Sequence, residues 1–125
     1  MDRPSMTVTS IVLDAPDANE LGAFYARLLG WEVRTDEPGW MTLQPPGGGA
    51  GLAFQEESRY VRPVWPAKPG DPQMMTHLDI EVDDLTAAGA HALAAGATLA
   101  DFQPQELVRV YLDPAGHPFC LWVAV

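Results

Sequence analysis

An internal repeat constrains the fold of this chain more than any other feature of its sequence. Each copy of the repeat predicts one strand, one helix and three further strands, in that order. Three pairs of matched features lie about 66 to 69 residues apart. They are Ser10 and His77, Gly30 and Gly96, and the turns at 43–47 and 112–116. A chance pattern would not be expected to keep this spacing, so we predict two β-α-β-β-β units.

Capping residues mark the helix of each unit. Asp17 precedes a segment with apolar residues at i, i+3, i+4 and i+7, and Gly30 follows it, which predicts an amphipathic helix. Asp84 and Gly96 bound the second helix, Leu85–Ala95, which is rich in helix-favouring alanine. The predicted strands are 7–14, 31–35, 39–43 and 51–55 in the first unit, and 75–82, 97–102, 107–112 and 119–123 in the second.

One such unit alone would leave a sheet face uncovered and a sheet edge unpaired. Pairing of the two units solves both problems. We therefore predict an α+β fold in which eight strands form one curved, partly closed sheet around a central cleft. The chain is then a single domain, residues 1–125, with a first unit at 7–57, a proline-rich linker at 58–74 and a second unit at 75–125.

The linker allows two interpretations. Its prolines predict a stiff, extended segment without secondary structure of its own, which would be a plain connector. Alternatively, the linker folds over the cleft, where Tyr60 and Trp65 would form an aromatic wall.

The net charge of −10 limits the partners that this chain is expected to bind. A surface this acidic repels the phosphates of nucleic acids and anionic lipids, so we expect neither nucleic-acid nor membrane partners. No apolar run approaches the roughly 18 residues that span a bilayer, and the N-terminus lacks the layout of a signal peptide. The single cysteine, Cys120, fits a reducing compartment, so we expect a cytoplasmic protein.

Two sequence motifs resemble those of a known superfamily. The first is HLDIEVDDL at 77–85, followed by the alanine-rich helix, and the second is LDPAGHPFCL at 112–121. Both are similar to motifs of the vicinal-oxygen-chelate superfamily, the glyoxalase, bleomycin-resistance and extradiol-dioxygenase group. The resemblance extends from about Val8 to Val123. The linker and the His-Leu-Asp after it resemble a glyoxalase-like branch of small single-domain proteins.

The resemblance implies a position for a metal ligand on the first strand and on the last strand of each unit. These positions fall on Ser10, on Ala53 with Gln55 on the same strand face, on His77 and on Cys120. Only His77 matches the superfamily's set of His or Gln and Glu ligands. A catalytic zinc-type site needs about three protein ligands, so we expect that no cofactor is bound. If a divalent metal (Zn, Ni, Mn or Fe) is retained, its expected ligands are His77, Cys120 and Gln55.

Strand alternation predicts that Asp79 and Glu81 share a face with His77. These three are the candidate catalytic residues, because a histidine beside carboxylates can bind a cation, orient a polar ligand or act as an acid or base. The alternative is that both carboxylates lie in water and His77 is simply hydrogen-bonded. The expected ligand-binding residues are Ser10, Gln55, Trp65, His77, Cys120 and Trp122.

Two other histidines are expected to lie outside the site. His91 falls at a surface position of the alanine-rich helix, and His117 falls in the turn between the last two strands. We expect His91 to be solvated and His117 to be structural or exposed.

Three functions fit these features. The first is a metal-free protein that binds a small, partly apolar molecule, with a cation favoured by the acidic charge. This would resemble the antibiotic-sequestering relatives, which are often homodimers. The second is a metal-dependent lyase, isomerase or dioxygenase of the superfamily with an atypical site, in which His77 is a ligand or general base. The third is an interaction module with a vestigial cleft.

Overall fold

Residues 3–124 are described by the structure, which is a computed structural model. The chain divides into a first unit that ends at Ser58 and a second unit that begins at Arg59. The first unit comprises β1 (Ser10–Ala15), α1 (Ala18–Leu29), β2 (Glu32–Glu37), β3 (Trp40–Gln44) and β4 (Gly51–Glu56). The second comprises β5 (Leu78–Glu81), α2 (Leu85–Ala95), β6 (Thr98–Leu99), β7 (Val108–Leu112) and β8 (Pro118–Trp122). Neither helix of this described part is long and apolar enough to cross a membrane.

The two units contain sheets with the same strand order. The first sheet has the order β1-β4-β3-β2 and the second has the order β5-β8-β7-β6. In each sheet the first and last strands of the unit pair in parallel, and the other neighbours are antiparallel. The predicted α+β class and the repeated β-α-β-β-β unit are therefore confirmed. The eight strands form two four-stranded sheets, whereas the sequence predicted one curved sheet of eight strands.

Helix α1 begins and ends where its capping residues predict. The side chain of Asp17 accepts a hydrogen bond from the first turn, and Gly30 adopts the left-handed conformation at the C-terminal cap. Its buried face carries Leu21, Phe24 and Tyr25, which pack on the first sheet. Burial of side chains of this size stabilises the fold by about 1.5–3 kcal/mol each, so the aromatic face of α1 anchors the first unit.

Helix α2 packs on the second sheet through small residues. Its buried positions are Gly89, Ala92 and Ala95, and the large side chains at this interface come from the sheet. Tyr111 of β7 lies against Gly89, and its ring stacks on Phe119 of β8 with 5.9 Å between centroids. Small residues on the helix thus make room for aromatic residues on the strands.

Two parallel strands begin later than predicted. β1 begins at Ser10 instead of Thr7, because its partner β4 begins only at Gly51 after a glycine-rich loop. β5 begins at Leu78 instead of Met75, so His77 lies immediately before the strand. Leu78 pairs with Phe119, and continuation of this register would bring His77 opposite Pro118, which has no N–H group for the ladder.

Strand β6 is also shorter than the predicted 97–102 and comprises only Thr98 and Leu99. The side chain of Gln103 replaces the rest of the ladder. Its carbonyl accepts from the Val110 N–H at 3.0 Å, and its amide donates to the Val110 carbonyl at 2.9 Å. The chain can therefore leave the sheet after Ala100 without losing these hydrogen bonds.

The linker is folded back on itself, so the prediction of an extended segment without internal structure was wrong. Val64 and Gln73 form an isolated parallel bridge. Between them a turn is closed by Asp71, whose N–H donates to the Lys68 carbonyl at 2.9 Å and whose carboxylate accepts from the Lys68 N–H at 3.0 Å. The prolines leave these N–H groups in place, so they restrict the linker without keeping it straight.

Candidate functional site

Within the described residues of the second unit, α2 is the helix that packs on the sheet, and it covers one of the two sheet faces. Tyr111 and Phe119 pair directly in the β7–β8 register, and Tyr111 contacts Gly89 of α2, so both rings are on the helix side. Side chains alternate along a strand. Cys120 and Trp122 therefore lie on the opposite face, which we call the helix-free face.

Three chemically active side chains meet on the helix-free face. Asp79 of β5 pairs with Cys120 of β8 in the parallel register, and His77 precedes β5. The His77 Nε2 atom is 3.0 Å from the Asp79 Oδ1 atom. One nitrogen, oxygen or sulfur atom from each of His77, Asp79 and Cys120 lies within 4.8 Å of the others. We call these residues the His77 cluster.

Within this cluster the cysteine is held in its protonated form. Cys120 is only 4% exposed. Burial, the negative charge of Asp79 and a hydrogen bond from the thiol to that carboxylate raise the pKa of Cys120 from 9.0 to about 11. At neutral pH this residue is a neutral hydrogen-bond donor and not a thiolate nucleophile.

The folded linker contributes an aromatic ring to the cluster. The indole of Trp65 stacks on the His77 imidazole, with 5.2 Å between centroids and an interplanar angle of 27°. The ring of Phe102 contacts Trp65 in an edge-on arrangement, with 5.2 Å between centroids and an interplanar angle of 68°. Of the aromatic wall expected from the linker, Trp65 lies against His77, whereas Tyr60 is hydrogen-bonded to the turn between β7 and β8.

Beside the cluster is a groove of about 380 Å³. Its lining includes Asp79, Gln105, Leu107, Val108, Trp122 and Val123. The Asp79 side chain is 63% exposed and is the acidic group of the described lining. We call this the Asp79 groove. It combines one carboxylate and one amide with an indole and aliphatic side chains, and its volume is within the range of small-molecule sites.

The predicted site residues are found in both units. His77, Cys120, Trp65 and the candidate Asp79 are brought together in the second unit, and Trp122 lines the adjacent groove. Glu81 is exposed at the end of β5, in a different groove that also includes His91.

Ser10 and Gln55 belong to the first unit. Ser10 opens β1, and the Gln55 amide donates to the Asp14 carboxylate at 3.0 Å. In the second unit the third donor beside His77 and Cys120 is Asp79. Gln55, the third metal ligand in the set expected from the sequence, therefore has a carboxylate partner of its own in the first unit.

The turn between β7 and β8 holds a separate polar cluster with a structural role. Asp113 is 2% exposed, and its carboxylate accepts from the Ala115 and His117 N–H groups at 3.0 and 2.9 Å. The His117 Nδ1 atom is 2.8 Å from the same carboxylate, and the Tyr60 hydroxyl donates to the Ala115 carbonyl at 2.8 Å. His117 is therefore structural, as its position in a turn predicts, and His91 is exposed as expected.

Several lining residues were not among the predicted site residues. Val108 could have been found from strand alternation, because it pairs with Trp122. Leu107 was the first residue of a predicted strand but was not assigned to the site, and Gln105 precedes that strand and carries no periodic signal. Phe102 was placed within a predicted strand, so its contact with Trp65 could not be inferred from that pattern.

Comparison with known proteins gives the family. Residues 10–122 match the family model of a glyoxalase-like domain. No curated protein matches the chain. Among solved structures, a glyoxalase/bleomycin resistance protein/dioxygenase family enzyme from Burkholderia phytofirmans is similar, with 18% identity and a TM-score of 0.72. That match covers 96% of this chain and 100% of the other.

Two further solved structures illustrate the range of proteins with this fold. An antibiotic binding protein from a Streptomyces species has 20% identity, a TM-score of 0.57 and full coverage of both chains. Lactoylglutathione lyase from Agrobacterium tumefaciens has 17% identity and a TM-score of 0.61, with 98% of this chain and 96% of the other covered. At these identities the similarity shows the fold alone. Together with the family match, it shows that the chain belongs to the glyoxalase-like family of the vicinal-oxygen-chelate superfamily.

Proposed function

We propose that this chain is a metal-free binding protein for a small, partly apolar organic cation, which occupies the Asp79 groove. The observation that carries the proposal is the exposed Asp79 carboxylate in a groove whose remaining lining is the neutral amide of Gln105, the indole of Trp122 and aliphatic side chains. A carboxylate attracts a cationic group, an indole face adds a cation–π contact, and the aliphatic wall accepts the apolar part. The net charge of −10 acts in the same direction by attracting cations to the molecule.

The antibiotic binding protein among the structural relatives supports a binding role, since it shows that this fold can serve one. The open grooves on the second unit favour a ligand over the alternative of an interaction module with a vestigial cleft. The raised pKa of Cys120 supports a role without covalent chemistry at this residue.

A charge-neutralising variant tests the proposal. Isothermal titration with benzyltrimethylammonium, a cation with one aromatic ring, should give binding to the wild type and much weaker binding of benzyl alcohol. Asp79→Asn should weaken binding of the cation by about tenfold, because the attraction between the carboxylate and the cation is lost. A tenfold change corresponds to about 1.4 kcal/mol of binding free energy. Asp83→Asn, which neutralises an exposed carboxylate outside the groove, is the matched control. Equal affinity in wild type and Asp79→Asn would refute the proposed site.

The second candidate is a metal-dependent lyase, isomerase or dioxygenase. The specific observation in its favour is the His77 cluster, because an imidazole, a carboxylate and a thiol within 4.8 Å of one another form a donor set that suits zinc. A bound ion would polarise a substrate oxygen, and His77, Asp79 and Cys120 would hold it. The ion would also require loss of the Cys120 proton, which the surroundings of that thiol disfavour in the metal-free state.

We also propose that the protein is a cytoplasmic homodimer. The edge strand β1 supports self-association, since Ile11 and Val12 are 47% and 44% exposed on successive residues. Unpaired edge strands with exposed apolar side chains associate readily. The absence of a second cysteine fits a reducing compartment, and cell fractionation would test the location.

A further inference from the structure

A second groove of the second unit lies between the folded linker and the end of the sheet. Its volume is about 610 Å³, and its lining includes Arg62, Val64, Trp65, Leu99, Asp101 and Phe102. We call it the Arg62 groove. One wall is the linker segment 62–66, the other is the segment 98–102, and Leu112 and Pro118 lie between them.

Arg62 is fixed at the turn between β7 and β8. Gly116 in that turn has a φ of +92°, and a side chain there would overlap the Arg62 guanidinium and its stem. Gly116 therefore permits the arginine to lie directly on the turn backbone. Tyr60, two residues earlier, is tied to the same turn by its hydrogen bond to the Ala115 carbonyl. The guanidinium is thus positioned by the fold and not by an acidic partner.

Arg62 has no ion-pair partner in the described part of the chain. No carboxylate of residues 3–124 forms a salt bridge with it, although the chain contains 17 acidic and only seven basic side chains. The nearest buried carboxylate in the turn, Asp113, already accepts three hydrogen bonds from the turn and from His117. A guanidinium that forms no ion pair and lines a groove suits a carboxylate ligand, which it can bind with two parallel hydrogen bonds.

The walls of the groove select a flat apolar body. Trp65 and Phe102 meet at 68°, which forms an aromatic corner on which a planar ring can stack. Leu99 and Val64, which are 49% and 40% exposed, extend the apolar surface. Asp101 is the acidic group of this lining and disfavours a second negative charge on the ligand.

We propose that the Arg62 groove binds a small aromatic monocarboxylate, with its carboxylate on Arg62 and its ring against Trp65 and Phe102. This site is separate from the Asp79 groove and selects the opposite charge. It does not depend on the cation-binding function proposed above.

The probes for this site are 2-naphthoate and its uncharged analogue 2-naphthamide, titrated separately while binding is measured by calorimetry and by Trp fluorescence. In the wild type, naphthoate should bind at least fivefold more tightly than naphthamide. Arg62→Gln should remove this preference and leave naphthamide binding unchanged, because only the charge contact is lost. Arg62→Lys should keep part of the preference for naphthoate, since an ammonium retains the positive charge but lacks the two parallel N–H donors of a guanidinium.

Two matched variants complete the test. Arg34→Gln removes a positive charge from β2 of the first unit and should preserve the wild-type preference. Phe102→Ala should weaken both probes, because both stack on the aromatic corner. Equal binding of the two probes by the wild type, or a preference that survives Arg62→Gln, would overturn the proposal. Unchanged binding of both probes by Phe102→Ala would overturn the location.

Discussion

At the scale of single residues, the environment of each titratable group decides its chemistry more than its type does. Cys120 and Asp79 are adjacent across two strands, and burial of the thiol together with the neighbouring carboxylate raises the pKa of Cys120. Asp113 is buried but is hydrogen-bonded on all sides by its own turn. Both aspartates lie next to a histidine, but the pair of His77 and Asp79 lies beside a groove, whereas the pair of His117 and Asp113 stabilises a turn.

The raised pKa of Cys120 predicts a loss of stability at high pH. A raised pKa means that the folded state holds the thiol proton more tightly than the unfolded state. The contribution of the protonated thiol to the free energy of unfolding is fully present below pH 9 and is lost as the pH rises through about 11. The difference in urea-unfolding free energy between wild type and Cys120→Ala should therefore be constant below pH 8 and shift against the wild type between pH 9 and 11. A difference independent of pH throughout would show that the thiol is not perturbed.

Removal of the Asp113 carboxylate should destabilise the second unit strongly. Asp113→Ala leaves two backbone N–H groups and the His117 ring without their acceptor, at a cost of about 3 kcal/mol. Chemical denaturation measures this cost. Asp101→Ala, at an exposed carboxylate, should change stability by less than about 0.5 kcal/mol. Similar effects of the two substitutions would contradict the structural role of Asp113.

At the scale of secondary-structure elements, the helices were predictable and the strand lengths were not. Asp17, Gly30, Asp84 and Gly96 are local signals, and both helices have the predicted bounds to within a residue. The length of a strand depends on the neighbouring strand or side chain that forms hydrogen bonds with it. β6 ends early because the Gln103 side chain binds Val110, and no periodic pattern in the sequence predicts such a long-range hydrogen bond.

The fit of α2 on its sheet gives a double-mutant prediction. Gly89→Ala should destabilise the fold, because the new Cβ would overlap the Tyr111 hydroxyl. Tyr111→Phe removes that hydroxyl and leaves the ring carbon at 3.4 Å, an ordinary contact. The double variant should therefore be more stable than Gly89→Ala alone, and alanine should add up to about 1 kcal/mol of helix propensity. Thermal unfolding of the four proteins measures the coupling, and strictly additive effects would contradict this packing.

The candidate site was only partly predictable, because some of its contacts join residues that are far apart in the sequence. The repeat and the superfamily motif both identified His77, and alternation placed Asp79 beside it. The stacking of Trp65 on His77 depends on how a proline-rich segment folds back, which composition does not determine. Arg62 carries no local signal, because its position depends on a glycine more than 50 residues later in the chain.

At the scale of the whole molecule, the exposed edge of β1 predicts an association between copies. Val12→Lys places a charge on this edge and should shift the protein from dimer to monomer in sedimentation experiments, since edge charges prevent strand association. Leu93→Lys on α2, at an exposed apolar residue away from a sheet edge, is the matched control. A wild type that is monomeric at all concentrations would refute the homodimer.

We propose that an organic cation, and not a metal ion, is the ligand of the Asp79 groove. A thermal-shift measurement on protein purified without chelators tests it most directly, with benzyltrimethylammonium in one series and Zn²⁺, Ni²⁺, Mn²⁺ or Fe²⁺ in the other. Ligands that bind the folded state raise its stability with concentration. We predict that the melting temperature rises with the organic cation and not with the metals. A rise of many degrees with a stoichiometric metal ion, abolished by His77→Ala, would contradict the claim and establish the metal-dependent alternative.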